Sequence, residues 1–299
     1  MIFVKKLRDT LPLDSPRFHL HRHLSEFQDP RPLKNVHGSE VTKDGGLCAR
    51  MYALADLTGT EHSPEWLTTS QAVTFEIGHL LEARIIHWFA DLGLARTNWQ
   101  CLSCGNTVEF SPRPEDCPKC GNTGFKPENY RFKSEKTSIS CGIDLMLAMP
   151  ETNKLRAVEI KTMDKDEFKV LAAPLAEHRI RTNLYMRTIA ESVDPSAKLL
   201  FTDEAFVLYV SKGGFGVKDP VIATWGLHDT FSPFKEFKVK RNDKDTQDLI
   251  MPAETVRAFR KGLIGVPSPI CATALTERAK NCPLRKACFS GKYPIGMKP

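Results

Sequence analysis

The pattern of apolar and polar positions changes period several times along the chain, and each change predicts an element. Through residues 69–92, Val73, Ile77, Leu80, Leu81, Trp88 and Leu92 recur at helical spacing, which predicts a helix with Ser70 as its cap. Glu76, His79 and Glu82 fall on another side of that helix, three residues apart, as a polar strip. Residues 137–163, "TSISCGIDLMLAMPETNKLRAVEIKTM", read as two strands around a turn near residues 150–153. A second helix fits residues 166–192, with Pro174 starting or kinking it. Strands follow at 204–212 and 221–227, then a helix at 246–262. The first 45 residues are polar; His19, His21 and His23 there read as part of a solvated basic arm, with contact to phosphate or a metal as the alternative. From Gly265 onwards the chain reads as a cysteine-bearing loop.

The two strands before residue 163 hold the first candidate chemistry. Strand side chains alternate between faces, so Glu159 and Lys161 share one face and Ile160 points to the other. A hairpin centred between Glu151 and Thr152 places Asp144 directly opposite Glu159. Two carboxylates side by side among Ile, Leu, Met, Val and Ala repel unless a divalent cation lies between them.

Composition narrows the setting. The chain has 299 residues, 41% hydrophobic and 26% charged, as in an ordinary globular protein, and no long uncharged apolar run that would span a membrane. The opening "MIFVKKLRDTLPLD" lacks the apolar core of a signal peptide, so a cytoplasmic location is expected. A formal charge of +6 suits an anionic partner. Nine cysteines in a cytosolic chain point to metals rather than disulfides.

Four of those cysteines form two matching knuckles, "CLSCGN" with Cys101 and Cys104, and "CPKCGN" with Cys117 and Cys120. A glycine after each pair lets the backbone turn tightly towards the thiolates. Two such pairs supply four soft ligands for tetrahedral Zn²⁺. The zinc ribbon either staples an insertion too small for its own core or grips DNA or a partner.

In this order the residues resemble the PD-(D/E)xK nuclease superfamily: Asp144, then Glu159-Ile160-Lys161, with Gly78-His79 upstream similar to the histidine motif of its RecB-like branch. Arg181-x3-Tyr185 stands where that branch has Gln-x3-Tyr. The resemblance implies an α/β fold, a restriction-endonuclease-like core with a mixed central sheet flanked by helices, carrying the zinc-ribbon insertion. It implies Mg²⁺ or Mn²⁺ held by His79, Asp144, Glu159 and the Ile160 carbonyl, with Glu82 or Glu76 available to a second ion. Lys161 would orient or deprotonate the attacking water. Arg181, Tyr185 and His178 would face the DNA backbone from one helix strip.

Cys48 upstream and Cys271, Cys282 and Cys288 near the end resemble the iron–sulfur subset of RecB-like nucleases, such as AddB and the CRISPR-associated adaptation exonucleases. There four cysteines so placed hold a [4Fe–4S] cluster that clasps the chain ends. Here Cys271 and Cys282 are spaced C-x10-C where that subset has C-x2-C, which leaves zinc and a cluster both open. Cys141 reads as a small buried residue. The expected organisation is an arm (1–45), a nuclease core (46–98 and 126–264), the ribbon (99–125) and the clasp (265–299). The resemblance thus implies a metal-dependent exonuclease acting on single-stranded DNA or DNA ends, in phage recombination or replication, repair or CRISPR spacer processing. A structure-specific endonuclease and a non-catalytic nucleic-acid-binding module are the alternatives.

Overall fold

A computed structural model of the chain describes residues 16, 19–20, 23–24, 31–42, 46–63, 69–150, 152, 154–213 and 232–290. The strand expected at 221–227, His21 and most of the expected arm lie outside the described residues. In chain order the elements are β1 (Arg31–Pro32), β2 (Val36–His37), α1 (Gly38–Val41), α2 (Ala49–Thr58), β3 (His62–Ser63), α3 (Thr69–Asp91), β4 (Ala95–Cys101), β5 (Thr107–Ser111), β6 (Phe125–Glu128), β7 (Tyr130–Lys133), β8 (Ile139–Ile143), β9 (Leu145–Ala148) and β10 (Leu155–Met163). Then come α4 (Lys165–Val170), α5 (Ala176–Ala190), β11 (Glu204–Ser211), β12 (Phe234–Lys240), α6 (Lys244–Arg260), α7 (Glu277–Lys280) and α8 (Arg285–Ser290). The chain divides into two units: Met1–Asn35, Cys48–Leu80 and Pro252–Pro299 in one, Val36–Leu47 and Leu81–Met251 in the other.

The second unit is the expected α/β arrangement. Seven strands form a mixed sheet in the order β12-β11-β10-β9-β4-β5, with β6 also paired to β4. Among these pairs only β10 and β11 run parallel. A three-stranded sheet, β2-β8-β7, lies in the same unit, and α5 packs on β8, β10 and β11. β10 is the central strand: Ala157, Val158, Glu159 and Ile160 are all buried, as a strand covered on both faces requires.

The predicted hairpin register is the observed one. Val158 faces Leu145, Ala157 faces Met146, Arg156 faces Leu147 and Leu155 faces Ala148. The first of the two expected strands is in fact divided. β8 and β9 separate at a bend on Asp144, and β8 joins the smaller sheet while β9 joins the larger. The Asp144 carboxylate explains why pairing stops there. Its Oδ2 accepts the Ile160 backbone N–H at 2.9 Å, so a side chain takes a donor that a ladder carbonyl would otherwise use.

The single helix expected at 166–192 is two. Asp164 caps α4 by accepting the Asp166 N–H at 2.8 Å, and Asp166 and Glu167 in its first turn suit the helix dipole. α4 ends at Val170, and Pro174, which restricts its neighbour and lacks an N–H, separates it from α5. α3 begins at Thr69, so Ser70 lies inside its first turn rather than capping it. Its buried positions are Ile85 and Ile86, whereas Val73, Ile77, Leu80, Trp88 and Leu92 are exposed. The stripe read from spacing is therefore not the packed one.

Ile85 and Ile86 pack in one apolar cluster with Ala95, Trp99, Cys101, Cys117, Phe125, Leu145, Val158 and Ile160. Burying a side chain such as Ile160 stabilises the fold by roughly 1.5–3 kcal/mol. β4 alternates buried and half-buried residues along its whole length and ends on Cys101. The ribbon is thus an outgrowth of the central sheet, with two of its cysteines in the sheet's core. Trp99, fully buried at its root, donates its indole N–H to the Ser111 carbonyl at 3.1 Å.

In the first unit α2 packs against α8, and β1 pairs with β3. Arg260 forks onto Asp56 at 2.8 and 3.0 Å and onto the carbonyls of Lys34 and Leu33 at 2.7 and 3.1 Å. The tail expected to be loop holds two short helices, α7 and α8, the first capped by Thr276. Among the described residues no helix is long and apolar enough to cross a membrane.

Candidate active site

β10 presents Glu159 and Lys161 on one face, and the bend between β8 and β9 brings Asp144 to the same place. Glu159 is 1% exposed and Asp144 7%. The Lys161 ammonium lies 2.6 Å from Glu159 Oε1, 3.9 Å from Asp144 Oδ2 and 3.0 Å from the Ile160 carbonyl oxygen. Three oxygens assigned to a divalent ion by resemblance therefore converge on one positive charge. Asn129 donates to Asp144 Oδ1 at 3.4 Å.

Two cations, not one, hold Glu159. Arg181 Nη1 also meets Oε1, at 3.3 Å, and Arg181 Nε reaches Thr42 Oγ1 at 3.4 Å. Glu159 Oε2 is buried and has no hydrogen-bond partner of good geometry among the described residues, although the Tyr185 hydroxyl bears on the carboxylate as a donor. An orphaned carboxylate oxygen of this kind is costly unless a cation or donor fills its lone pairs. The donor set is hard: two carboxylates and a carbonyl, the ligands Mg²⁺ and Mn²⁺ take. The residues present fit such an ion.

The charges act on one another strongly. Burial, and then the Glu159 charge, push the Asp144 carboxyl well above the usual carboxylate range, while Lys161 pulls it back. Burial works against ionising Glu159 too, but Lys161 and Arg181 together outweigh it and hold its pKa low. Burial opposes the charge on Lys161, yet Glu159 and Asp144 overcome that and raise its pKa, so it is an ammonium. Burial and then Lys161 depress His178 to about 4, so its ring is neutral at pH 7. Its Nδ1 lies 2.8 Å from the Tyr209 hydroxyl. Tyr185 is buried, and burial and then Glu159 raise its phenol far above the ordinary range.

The strip expected to face DNA meets the acidic site: Arg181 and Tyr185 bear on Glu159, and His178 on Tyr209 and Lys161. Glu82 bears on Asp144 from α3. His79 is exposed on α3 and belongs to the first unit, as does Glu76. Thr42, Asn129 and Tyr209 complete the surroundings and escaped the sequence reading. Each is an ordinary residue on its own element, with no local pattern to single it out.

The ribbon cysteines are drawn together. Cys101 Sγ lies 3.6 Å from Cys120 Sγ, and Cys104 Sγ 3.7 Å from Cys117 Sγ, with all four within 4.8 Å of one another. A tetrahedron with metal–sulfur bonds of about 2.3 Å has edges of about 3.8 Å, so this group could hold one metal ion. The two knuckles repeat the same bonds. Gly105 N–H donates to Cys101 O at 3.0 Å and Gly121 N–H to Cys117 O at 2.8 Å, both glycines having φ near +70°. The Cys104 backbone amide draws the Cys101 thiol down to about 7, favouring thiolate.

Cys48, Cys271, Cys282 and Cys288 also gather, all within the first unit. Cys271 and Cys288 act on Cys48, and all three act on Cys282. No three of their sulfurs come within the close spacing of the ribbon. Arg50 braces it, donating to Cys288 Sγ at 3.2 Å and to the carbonyls of Pro267 and Cys288 at 2.7 and 3.2 Å. Cys141 is buried against Thr188, and burial lifts its thiol to about 12, as an inert core residue.

Comparison with protein families finds no match, and neither does comparison with curated proteins. Among solved structures, the chain is similar to LHK-Exo in complex with dAMP, at 12% identity and a TM-score of 0.40, over 77% of this chain and 89% of that one. It is also similar to SSO0001, at 13% identity and a TM-score of 0.33, over 99% of this chain and 97% of that one. At such distances a likeness carries no function across, so the chemistry of the site must.

Proposed function

We propose that the chain is a Mg²⁺- or Mn²⁺-dependent deoxyribonuclease of the PD-(D/E)xK type, an exonuclease hydrolysing phosphodiester bonds of single-stranded DNA or DNA ends. The observation that carries this reading is the buried pair Asp144 and Glu159 around the Lys161 ammonium, with Glu159 Oε2 left unsatisfied. A buried carboxylate oxygen without a donor is costly, and a bound cation would relieve that cost.

Asp144, Glu159 and the Ile160 carbonyl would hold the ion, with His79 as the proposed fourth ligand and Glu82 close to Asp144. When bound, the ion polarises the scissile phosphate and lowers the pKa of a water. Lys161 would turn from the carboxylates to that water. Its raised pKa keeps it charged, so it orients the water and offsets negative charge on the phosphate rather than removing a proton. Tyr185 and the neutral His178 shape the wall beside Glu159. The ribbon would hold Zn²⁺, and Cys48, Cys271, Cys282 and Cys288 a [4Fe–4S] cluster. DNA, single-stranded or at its ends, is the proposed partner and the cytoplasm the proposed location; the surplus of basic residues suits such a partner.

The test is end-labelled single- and double-stranded DNA incubated with Mn²⁺ or Mg²⁺ and resolved by product length, beside circular single-stranded DNA. The expected result is short products from ends, intact circles, and a loss of at least a hundredfold in rate for Asp144→Ala and Lys161→Ala. Cut circles would make the enzyme an endonuclease. Equal cutting by both variants would overturn the site, and no cutting by the wild type would leave a nucleic-acid-binding module.

A further inference from the structure

Arg181 bears on the candidate ion site in a way that the nuclease reading alone does not require. Lys161 and Arg181 both meet Glu159 on the same oxygen, Oε1, at 2.6 and 3.3 Å. Oε2, on the other side of that carboxylate, is the one left bare. Two cations thus face the inner carboxylates Asp144 and Glu159, and their formal charges cancel. Glu82 bears on Asp144 from outside the pair, and His178 adds no charge. A divalent ion entering this place gains less from Asp144 and Glu159, because the protein's own ammonium and guanidinium already offset their charge. The balance changes when a phosphodiester arrives and brings its own negative charge.

Arg181 is built to sense that arrival. Its side chain is 23% exposed, so it is neither sealed in nor free in solvent. Nε is held by Thr42 and Nη1 by Glu159, which leaves further N–H groups of the planar fork for a phosphate oxygen. Turning towards phosphate relaxes its hold on Oε1 and returns negative charge to the ion site.

We propose that Arg181 is a positioning residue that couples ion binding to substrate binding: it keeps the empty site neutral and releases Glu159 to the ion when a DNA phosphate takes its guanidinium. The coupling rests on the nuclease reading and is reciprocal, since whatever DNA does for the ion the ion does for DNA. Lys161 has another part in the nuclease reading, at the attacking water. Arg181 comes from α5, a separate element, and can change partners without moving β10.

The experiment titrates Mn²⁺ into the full-length protein by calorimetry, with and without a short single-stranded phosphorothioate oligonucleotide that is cut slowly and keeps its charge. For the wild type, the oligonucleotide is expected to tighten Mn²⁺ binding at least tenfold. Arg181→Gln is expected to bind Mn²⁺ at least tenfold more tightly than wild type without DNA, and to gain less than threefold from the oligonucleotide. Arg181→Lys, which keeps the charge, should stay within threefold of wild type without DNA. A folded Arg181→Gln protein with unchanged Mn²⁺ affinity, or with full coupling, overturns the proposal. If Arg181→Gln does not fold, a tenfold gain in Arg181→Lys overturns it. Asp144→Ala separates the two readings: if it binds Mn²⁺ as the wild type does, the ion lies elsewhere, and the nuclease site itself fails before Arg181 is at issue.

Discussion

The two groups of four cysteines use the same ligand chemistry and reach it by opposite routes. The ribbon's ligands lie between Cys101 and Cys120, and each knuckle is closed by its own glycine and backbone bonds. The cysteines of the proposed clasp run from Cys48 to Cys288 and come together only because α2, α8 and the tail pack in one unit. The ribbon's sulfurs already stand at tetrahedral spacing. The clasp's are gathered, braced by Arg50, but not closed in that way. Closing the longer span costs about 2 kcal/mol more, so local geometry can prearrange one site while the other waits for the fold. The ribbon is also tied to β10, since Cys101 and Cys117 share a cluster with Val158 and Ile160.

The sharpest way to break this contrast is to remove a buried ribbon ligand. Cys117→Ser should lose zinc and destabilise the central sheet by about 3 kcal/mol or more, a fall in melting temperature of about 6–12 °C. An unchanged melt followed by circular dichroism would mean that the ribbon is an appendage after all. Cys120→Ser, at an exposed ligand, should do less.

Next comes the clasp. Cys48→Ser should abolish the brown absorbance near ~400 nm expected of a thiolate-ligated iron–sulfur centre, while zinc content stays at one per chain. Loss of zinc along with colour would show that the two sites are not independent. Colourless wild-type protein prepared without oxygen and containing only zinc would replace the cluster with a second zinc.

The smallest effect tests the knuckle itself. Gly105 has φ +69°, and an added Cβ there meets nothing within 4 Å, so Gly105→Ala carries only the left-handed strain. That amounts to about 1 kcal/mol, readable as a shift of a few degrees in the melt. No shift would mean that the turn is not held by its left-handed glycine.

Much of the site was legible because its pattern is local. Alternation put Glu159 and Lys161 on one face, and the centre of the hairpin set the register from Leu145 to Ala148 against β10. The bend at Asp144 was not legible, because it depends on the Ile160 amide, a partner far along the chain. Nor was β12: its Phe234, Glu236, Lys238 and Lys240 lie on one side of a strand whose other side holds the buried Val239, so its composition reads as polar. The helix stripe of α3 misled for the converse reason. Spacing places residues on a face, but only the neighbours decide which face is covered.

What the sequence by itself determined is whatever a few adjacent residues enforce: the knuckles, the strand face bearing Glu159 and Lys161, the hairpin register. Tertiary structure alone decided that Arg181 should share an oxygen with Lys161, that Oε2 should be left bare, and that Cys48 should meet the tail. The reason is physical. Backbone geometry sets directions over a turn or two, whereas the distance between charges on separate elements is set by how those elements pack.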